Sequence, residues 1–307
     1  MTSAVSEYVR RACPACGSEK RDPGVASEPR GEELPYAELR DRWYGFFADK
    51  RFFSYDRCQD CGLLYAPQYF SNDQLGALYA SMPANMEEVP AGSLERTQRS
   101  YFDVFRKFSS LAGTFTEIGP DTGLFLQHVV DEGTFNRFFL FEPNVDVHAE
   151  LRSRLGDRAH TLSTELLDFH EVPDASVDAV VLIHVLDHLL DPSSYLSALR
   201  TKLRPGAIVF TVTHDESSLL ARLTKARWPA YCLQHPHLFN PRSVREMFAR
   251  HGYTVRETIK STNYFPISYL AEHALMAVGA GKRELPKIPL AVPLQLGNFI
   301  TIAQPVF

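Results

Sequence analysis

The chain has 307 residues, 45% of them apolar and 22% charged, enough to bury a core in one large domain or two smaller ones. Its 21 Phe and 13 Tyr exclude a disordered or fibrous polymer. A formal net charge of −5 argues against tight non-specific nucleic-acid binding, and no long uninterrupted apolar run predicts a membrane span.

Met1–Glu7 carries no basic start followed by an apolar run, so no secretion leader is predicted and a cytoplasmic location is expected. Thiols stay reduced there, and paired CxxC units read as metal ligands before disulfides. The chain holds two, Cys13-Pro-Ala-Cys16 and Cys58-Gln-Asp-Cys61, each followed by a glycine, Gly17 and Gly62. A glycine after the second cysteine lets the backbone bend so that one turn presents two thiolates. Two such turns predict a closed tetrahedral site for structural Zn2+ on Cys13, Cys16, Cys58 and Cys61, with no open position for catalysis. A redox dithiol is the alternative, and the doubling of the motif speaks against it. The 41 residues between Cys16 and Cys58 exceed the roughly 15–20 of a compact ribbon. They are predicted to hold a helix near Tyr36–Phe47 and a strand near Arg51–Arg57. Through Phe70 there are ten Lys/Arg and eleven Asp/Glu, so this segment is not a basic patch.

Next, the stretch Ser81–Ser93 is predicted to cross a pocket mouth as a lid or plain connector. Gln98–Ser110 places Tyr101, Phe102, Phe105 and Phe108 on one helical stripe. From residue 111 the pattern alternates. Strands are predicted at Thr114–Ile118, Phe138–Phe141, Ala159–Leu162, Asp178–Ile183 and Ala207–Thr213, the last opened by an Arg204-Pro205-Gly206 turn. Helices are predicted at Thr122–Asp131, Val145–Leu155, Pro192–Leu203 and Pro241–His251. Such alternation means a mostly parallel α/β sheet, with ligands beyond the carboxyl ends of its strands. Thr254–Lys260 and Asn298–Ala303 would finish the sheet as an antiparallel pair. Between them, residues 261–297 form an insertion with an apolar helix near Ile267–Val278 and a Pro-rich segment, Leu285–Pro293. It is expected to shape acceptor specificity or a homodimer contact.

Two features mark the first loop. Glu117-Ile-Gly119-Pro-Asp121-Thr-Gly123 has glycines at both ends that permit a tight turn and close approach of a ligand. Glu142, before Pro143, lies 19 positions past Gly123, where a strand-end carboxylate can accept from two ribose hydroxyls.

Together these residues resemble the class I S-adenosylmethionine-dependent methyltransferases. Glu117–Gly123 looks like the family's first motif, with Asp121 in place of the middle glycine, and Glu142 looks like its ribose-binding acid. Val177–Val181 looks like the fourth-strand motif. Val185-Leu-Asp187-His188-Leu-Leu-Asp-Pro192 is similar to a "vLEHl.dP" stretch, with Asp187 for the usual Glu, and Leu203-Arg-Pro-Gly206 is similar to "LkPGG". The upstream cysteines resemble a bacterial subgroup with an N-terminal zinc-binding module, some members of which methylate deoxysugars, natural products or surface glycans. The resemblance implies a Rossmann-like, seven-stranded, mostly parallel sheet with an antiparallel final hairpin. It implies a zinc module at 1–75, a linker or lid at 76–94 and a methyltransferase domain at 95–307.

It also implies S-adenosylmethionine as co-substrate and a small-molecule acceptor. Donor contacts fall on Glu117, Gly119, Asp121, Gly123, Glu142, Pro143, His184 and Glu165, the last near the adenine amine. Methyl transfer is an in-line displacement on an activated donor, so proximity and an acceptor-side base are what the protein supplies. Histidines suit that role near neutral pH. His235, His184 and His214 are the candidates, while His188 reads as structural and Cys232 as a small buried side chain. Two rival functions remain on sequence alone, RNA methylation guided by the zinc module and a non-catalytic or repurposed fold.

Overall fold

Near-continuous apolar runs such as Val177–Ile183 suit strands covered on both faces, and they assemble into one central sheet. The computed structural model describes residues 7–44, 50–80, 90–166, 168–277 and 290–307. Across the sheet the strands are Tyr253–Lys260, Asn298–Pro305, Leu203–His214, Val177–Ile183, Ala112–Ile118, Thr134–Phe141 and Ala159–Ser163. The five from Leu203–His214 to Ala159–Ser163 run parallel, and Asn298–Pro305 runs antiparallel to both its neighbours. The fold is therefore α/β, Rossmann-like and seven-stranded, with the expected antiparallel closing pair. The order reverses at Ala112–Ile118, which pairs with Thr134–Phe141 on one side and Val177–Ile183 on the other. A crevice forms beyond the carboxyl ends at such a reversal.

One sheet face buries Phe102, Phe105, Phe115, Phe125 and Phe210. Phe105 meets Phe210 edge-on at 5.6 Å and 84°. The other face buries Val180, Leu182, Leu196, Leu199, Val244 and Met247. The dipeptides Asp191-Pro192 and Asn240-Pro241 start helices for a local reason. Asp191 Oδ1 accepts from Ser194 N at 2.9 Å, Asn240 Oδ1 accepts from Ser243 N at 2.9 Å, and proline follows each cap at the first helical position.

The N-terminal segment does not stand apart. Strands Arg21–Val25, Tyr55–Cys58 and Leu64–Tyr65 form an antiparallel sheet whose fourth strand, His237–Leu238, comes from far downstream. Cys13, Cys58 and Cys61 share a core with Phe239, Val244 and Met247. Several expected bounds shift. The first helix is only Tyr36–Arg40, with 45–47 outside the described residues, and the next strand begins at Tyr55 because Phe52 and Phe53 are buried in irregular chain. Helices Asn72–Ala80 and Ala91–Phe105 take both ends of the expected linker, and Pro90 is the cap of the second. Arg204-Pro205-Gly206 is not a turn before a strand. It lies inside Leu203–His214, where the register shifts between Leu203 and Ile208.

In the insertion, Asn263–Pro266 pairs antiparallel with Ala291–Leu294 around helix Ile267–Ala277. It docks on helix Ala91–Phe105, where Thr97 Oγ1 accepts from Tyr264 N at 2.8 Å. The expected lid at 81–89 and most of the Pro-rich segment, 285–289, lie outside the described residues. Among the described residues no helix is long and apolar enough to cross a membrane.

Candidate functional site

Strand Ala112–Ile118 leads through Gly119–Gly123 into helix Leu124–Glu132. Gly119, Asp121 and Gly123 all have positive φ, at 63°, 50° and 75°. A Cβ on Gly119 would come within 2.8 Å of Val185 Cγ2, and one on Gly123 within 2.8 Å of Leu151 Cδ2. Asp121 can hold the left-handed conformation because aspartate tolerates it better than most residues. Glu142, at the end of the neighbouring strand, is clamped from two sides. Its Oε2 accepts from Asp121 N at 2.9 Å and its Oε1 from Asn144 N at 2.8 Å. Its backbone carbonyl accepts from His148 Nε2 at 2.8 Å.

Glu117 is buried, and its Oε2 has no hydrogen-bond partner among the described residues. Burial, with Glu142 nearby, pushes its carboxyl up to about 8, and the same two causes raise Asp121 to about 6. Burial also raises Glu142. Pro143 follows Glu142 in the loop. Glu165 is exposed just past strand Ala159–Ser163.

The second part of the site lies at the carboxyl ends of Val177–Ile183 and Leu203–His214. His184, with φ of 54°, donates its backbone N–H to Val212 O at 2.9 Å. Asp187 is fully buried, and its Oδ2 accepts from His214 Nδ1 at 2.7 Å and from His214 N at 2.9 Å. The His214 ring sits 4.8 Å from that of His184 and 4.6 Å from that of His235, and His188 lies 4.6 Å from His235. Tyr79 Oη is 3.3 Å from His188 Nδ1. His235 Nδ1 lies 2.7 Å from Ala230 O and 3.3 Å from Cys232 Sγ.

The structure thus brings together all three predicted histidines. It adds His188, Asp187 and Cys232 to them. Only the His184-x-x-Asp187-His188 spacing after a strand end could have signalled part of the group.

Electrostatics divide these side chains. Burial and His214 hold His184 down at about 3, burial holds His214 below its ordinary value against the pull of Asp187, and burial with His235 depresses His188. Burial would raise Asp187, but the His214 hydrogen bond and the neighbouring imidazoles bring it to about 2. Burial would lower His235, but Cys232 raises it to about 9, and His235 lowers the Cys232 thiol against burial.

The third part is the cysteine cluster. Cys13 and Cys61 Sγ lie 3.5 Å apart, as do Cys16 and Cys58, and all four sulfurs fall within 4.8 Å of one another. A tetrahedral zinc with Zn–S near about 2.3 Å sets its sulfurs about 3.8 Å apart, so the donor set fits that ion. Gly17 and Gly62, at φ of 75° and 77°, donate to Cys13 O and Cys58 O at 2.8 and 2.9 Å and close the two turns. Two residues before Cys13, Arg11 Nη2 donates to Pro236 O at 3.0 Å and Nη1 to Leu190 O at 3.4 Å. Arg11 Nη2 is also 3.4 Å from His237 Nδ1, and His237 Nε2 donates to Leu186 O at 3.0 Å.

The profile of a methyltransferase domain family matches residues 94–258, more than half of the chain. The chain belongs to that methyltransferase family. A chain in the Haloferax volcanii complex of the Trm112 methyltransferase activator with a methyltransferase superposes with a TM-score of 0.51, at 16% identity over 70% of this chain and 93% of that one. A structure described for conversion of a disulfide bond into a thioacetal group during echinomycin biosynthesis has a TM-score of 0.50, at 15% identity over 77% of this chain and 93% of that one. At these identities the likeness is one of fold. The highly reducing polyketide synthase pkhB of Emericella nidulans is 29% identical over 106 residues, 31% of this methyltransferase chain but only 4% of that protein's length.

Proposed function

We propose that this methyltransferase moves a methyl group from S-adenosylmethionine to a small molecule, a natural-product or sugar intermediate, held against the histidine cluster. The observation that carries this is the Glu142 carboxylate, fixed by Asp121 N and Asn144 N at the point where the strand order reverses. Each carboxylate oxygen keeps a lone pair for a ribose hydroxyl. The unpartnered Glu117 Oε2 and the left-handed Gly119–Gly123 loop fit a polar ligand lying on the backbone. When bound, the donor supplies an electrophilic sulfonium methyl.

The chain's own task is then alignment and proton removal. His184 follows the strand that pairs with Ala112–Ile118, and its ring lies against that of His214. His214 is the base this arrangement favours. Its Nδ1–H points at Asp187 Oδ2, which leaves Nε2 as the proton-accepting atom, and burial keeps the ring neutral. His235, raised to about 9 by Cys232, is protonated at neutral pH and holds positive charge beside the acceptor instead. Cys13, Cys16, Cys58 and Cys61 hold a structural zinc that folds the 1–75 segment onto the methyltransferase core.

Calorimetric titration with S-adenosylmethionine and S-adenosylhomocysteine tests the proposal. Wild type should bind both at micromolar Kd, and Glu142→Ala should weaken binding by tenfold or more, about 1.4 kcal/mol. Absence of binding by folded, zinc-loaded wild type would sink it.

A further inference from the structure

Proton acceptance by His214 leaves two atoms of the histidine cluster unexplained. Asp187 Oδ1 and His184 Nδ1 are buried with no hydrogen-bond partner among the described residues. Asp187 is 0% exposed, so solvent does not satisfy that oxygen. Leaving a buried polar atom unpaired costs about 1–3 kcal/mol, more for a charged group, and a native chain that does so usually has a use for it. His184 is also held at φ of 54°, outside the ordinary conformations of a non-glycine residue.

His184, Asp187 and His214 each offer a ligand atom, and these atoms all lie within 4.8 Å of one another. Two imidazoles and one carboxylate on adjacent strand ends form a donor set that suits first-row transition metals and leaves coordination positions open. Neutral imidazole nitrogens and a carboxylate are the forms in which such side chains ligate an ion.

We propose that His184, Asp187 and His214 bind one divalent first-row transition-metal ion, separate from the ion of the cysteine cluster. His184 and the Asp187 carboxylate bring the unpartnered Nδ1 and Oδ1 to the ion, and His214 adds a ring nitrogen. Binding of the ion does not rest on the methyl-transfer proposal. Where that proposal also holds, the ion would favour an oxygen-bearing acceptor by lowering the pKa of its hydroxyl, whose proton would leave to solvent water, and His214 would then be a ligand in place of the base.

The test is titration of Co2+ into protein whose cysteine cluster is already filled with one equivalent of Zn2+. Wild type should take up one equivalent of Co2+, with weak visible d–d bands and no strong near-ultraviolet thiolate charge-transfer band. His184→Gln and Asp187→Asn should each lose that equivalent and keep the zinc. Wild type alone gives an independent reading, since two histidine ligands should produce two paramagnetically shifted imidazole N–H signals. Uptake of no Co2+ by folded wild type, a thiolate band, uptake unchanged in both variants, or no shifted imidazole signals would each overturn the site. Donor titration in the absence of Co2+ reports separately on the methyl-transfer proposal.

Discussion

The cysteine cluster and the histidine cluster each gather side chains around one point, but the chain builds them in opposite ways. The cysteine cluster comes from two copies of one local device, a CxxC turn closed by a left-handed glycine. The histidine cluster draws on three separated places: His184, Asp187 and His188 after one strand, His214 at the end of the next, and His235 in the loop before helix Pro241–Arg250. The first needs only two turns to meet. The second needs the sheet, the helix cap at Asn240 and the N-terminal segment to be in place together. Local devices can therefore be read from spacing, whereas assembled sites need the tertiary fold.

The largest expected effect comes from breaking the cysteine cluster. Structural zinc contributes about 10–16 kcal/mol of apparent binding energy in small modules. Cys58→Ser with Cys61→Ser, or metal withdrawal by a chelator, should abolish the cooperative thermal transition of the N-terminal sheet and release one zinc per chain. The histidine cluster should suffer too. Tyr55 Oη donates to His235 O at 2.6 Å, Ala66 N donates to Pro236 O at 2.9 Å, and Ser193 Oγ donates to Pro14 O at 2.5 Å. Persistence of the native imidazole NMR signals after zinc release would show that the two clusters are independent.

Next in size is Asp187→Asn, which strikes the assembled cluster and leaves the cysteine turns intact. If methyl transfer uses His214 as base, the rate should fall by about 10²–10⁴-fold. The sign of the pH effect follows from the contact. Asp187 raises the His214 pKa against burial. Removing the charge lowers that pKa, so the acidic limb of the pH–rate profile should move to lower pH. A limb that stays in place would remove His214 from the reaction.

Much of the fold was legible because the central strands are short, apolar and separated by amphipathic helices. The glycine loop and Glu142 were legible because their chemistry is local to two strand ends. Asp187 was harder, since nothing in Val185–Pro192 says that its carboxylate turns inward to His214. Cys232 read as a small apolar side chain because its partner, His235, becomes one only when the loop folds. The fourth strand of the N-terminal sheet was hidden for a similar reason. His237 lies 172 residues beyond its partner Tyr65 and Leu238 lies 174 beyond Leu64, and a two-residue strand has no period to detect.

Glu117 serves as a control outside both clusters. Its folded pKa, raised to about 8, exceeds the ordinary value of 4.5, so the folded state holds a proton that the unfolded chain releases. Its contribution to stability is present below pH 4.5 and is lost as pH rises towards about 8. Glu117→Gln removes that loss. Denaturant unfolding at pH 5 and pH 8 should show the variant gaining on wild type by about 2–4 kcal/mol over the interval. His184 acts in the opposite sense. Its folded pKa of about 3 lies below the ordinary 6.5, so its share is present above pH 6.5 and is lost as pH falls towards 3. An equal pH slope in wild type and Glu117→Gln would mean that Glu117 is ionised in the folded protein.

The smallest effect joins the two clusters. Arg11 follows the chain into Cys13 and spreads its guanidinium over Pro236 O, Leu190 O and His237 Nδ1, the backbone and ring that flank His235 and the Asp187–His188 turn. Methionine keeps the stem and removes the fork, leaving the two carbonyls and the His237 ring without that donor. Arg11→Met should lower stability by about 1–3 kcal/mol. The informative readout is a split, because the hydrogen bonds of Arg11 go to Leu190, Pro236 and His237 and not to Glu142 or the Gly119–Gly123 loop. Donor Kd should stay at the wild-type value while kcat falls and the imidazole signals of His188 and His235 shift. Arg11→Lys restores the charge but cannot reach both carbonyls and the ring at once, so it should recover only part of kcat. If donor affinity drops in step with kcat, Arg11 supports the whole fold and is not a positioning residue for the histidine cluster.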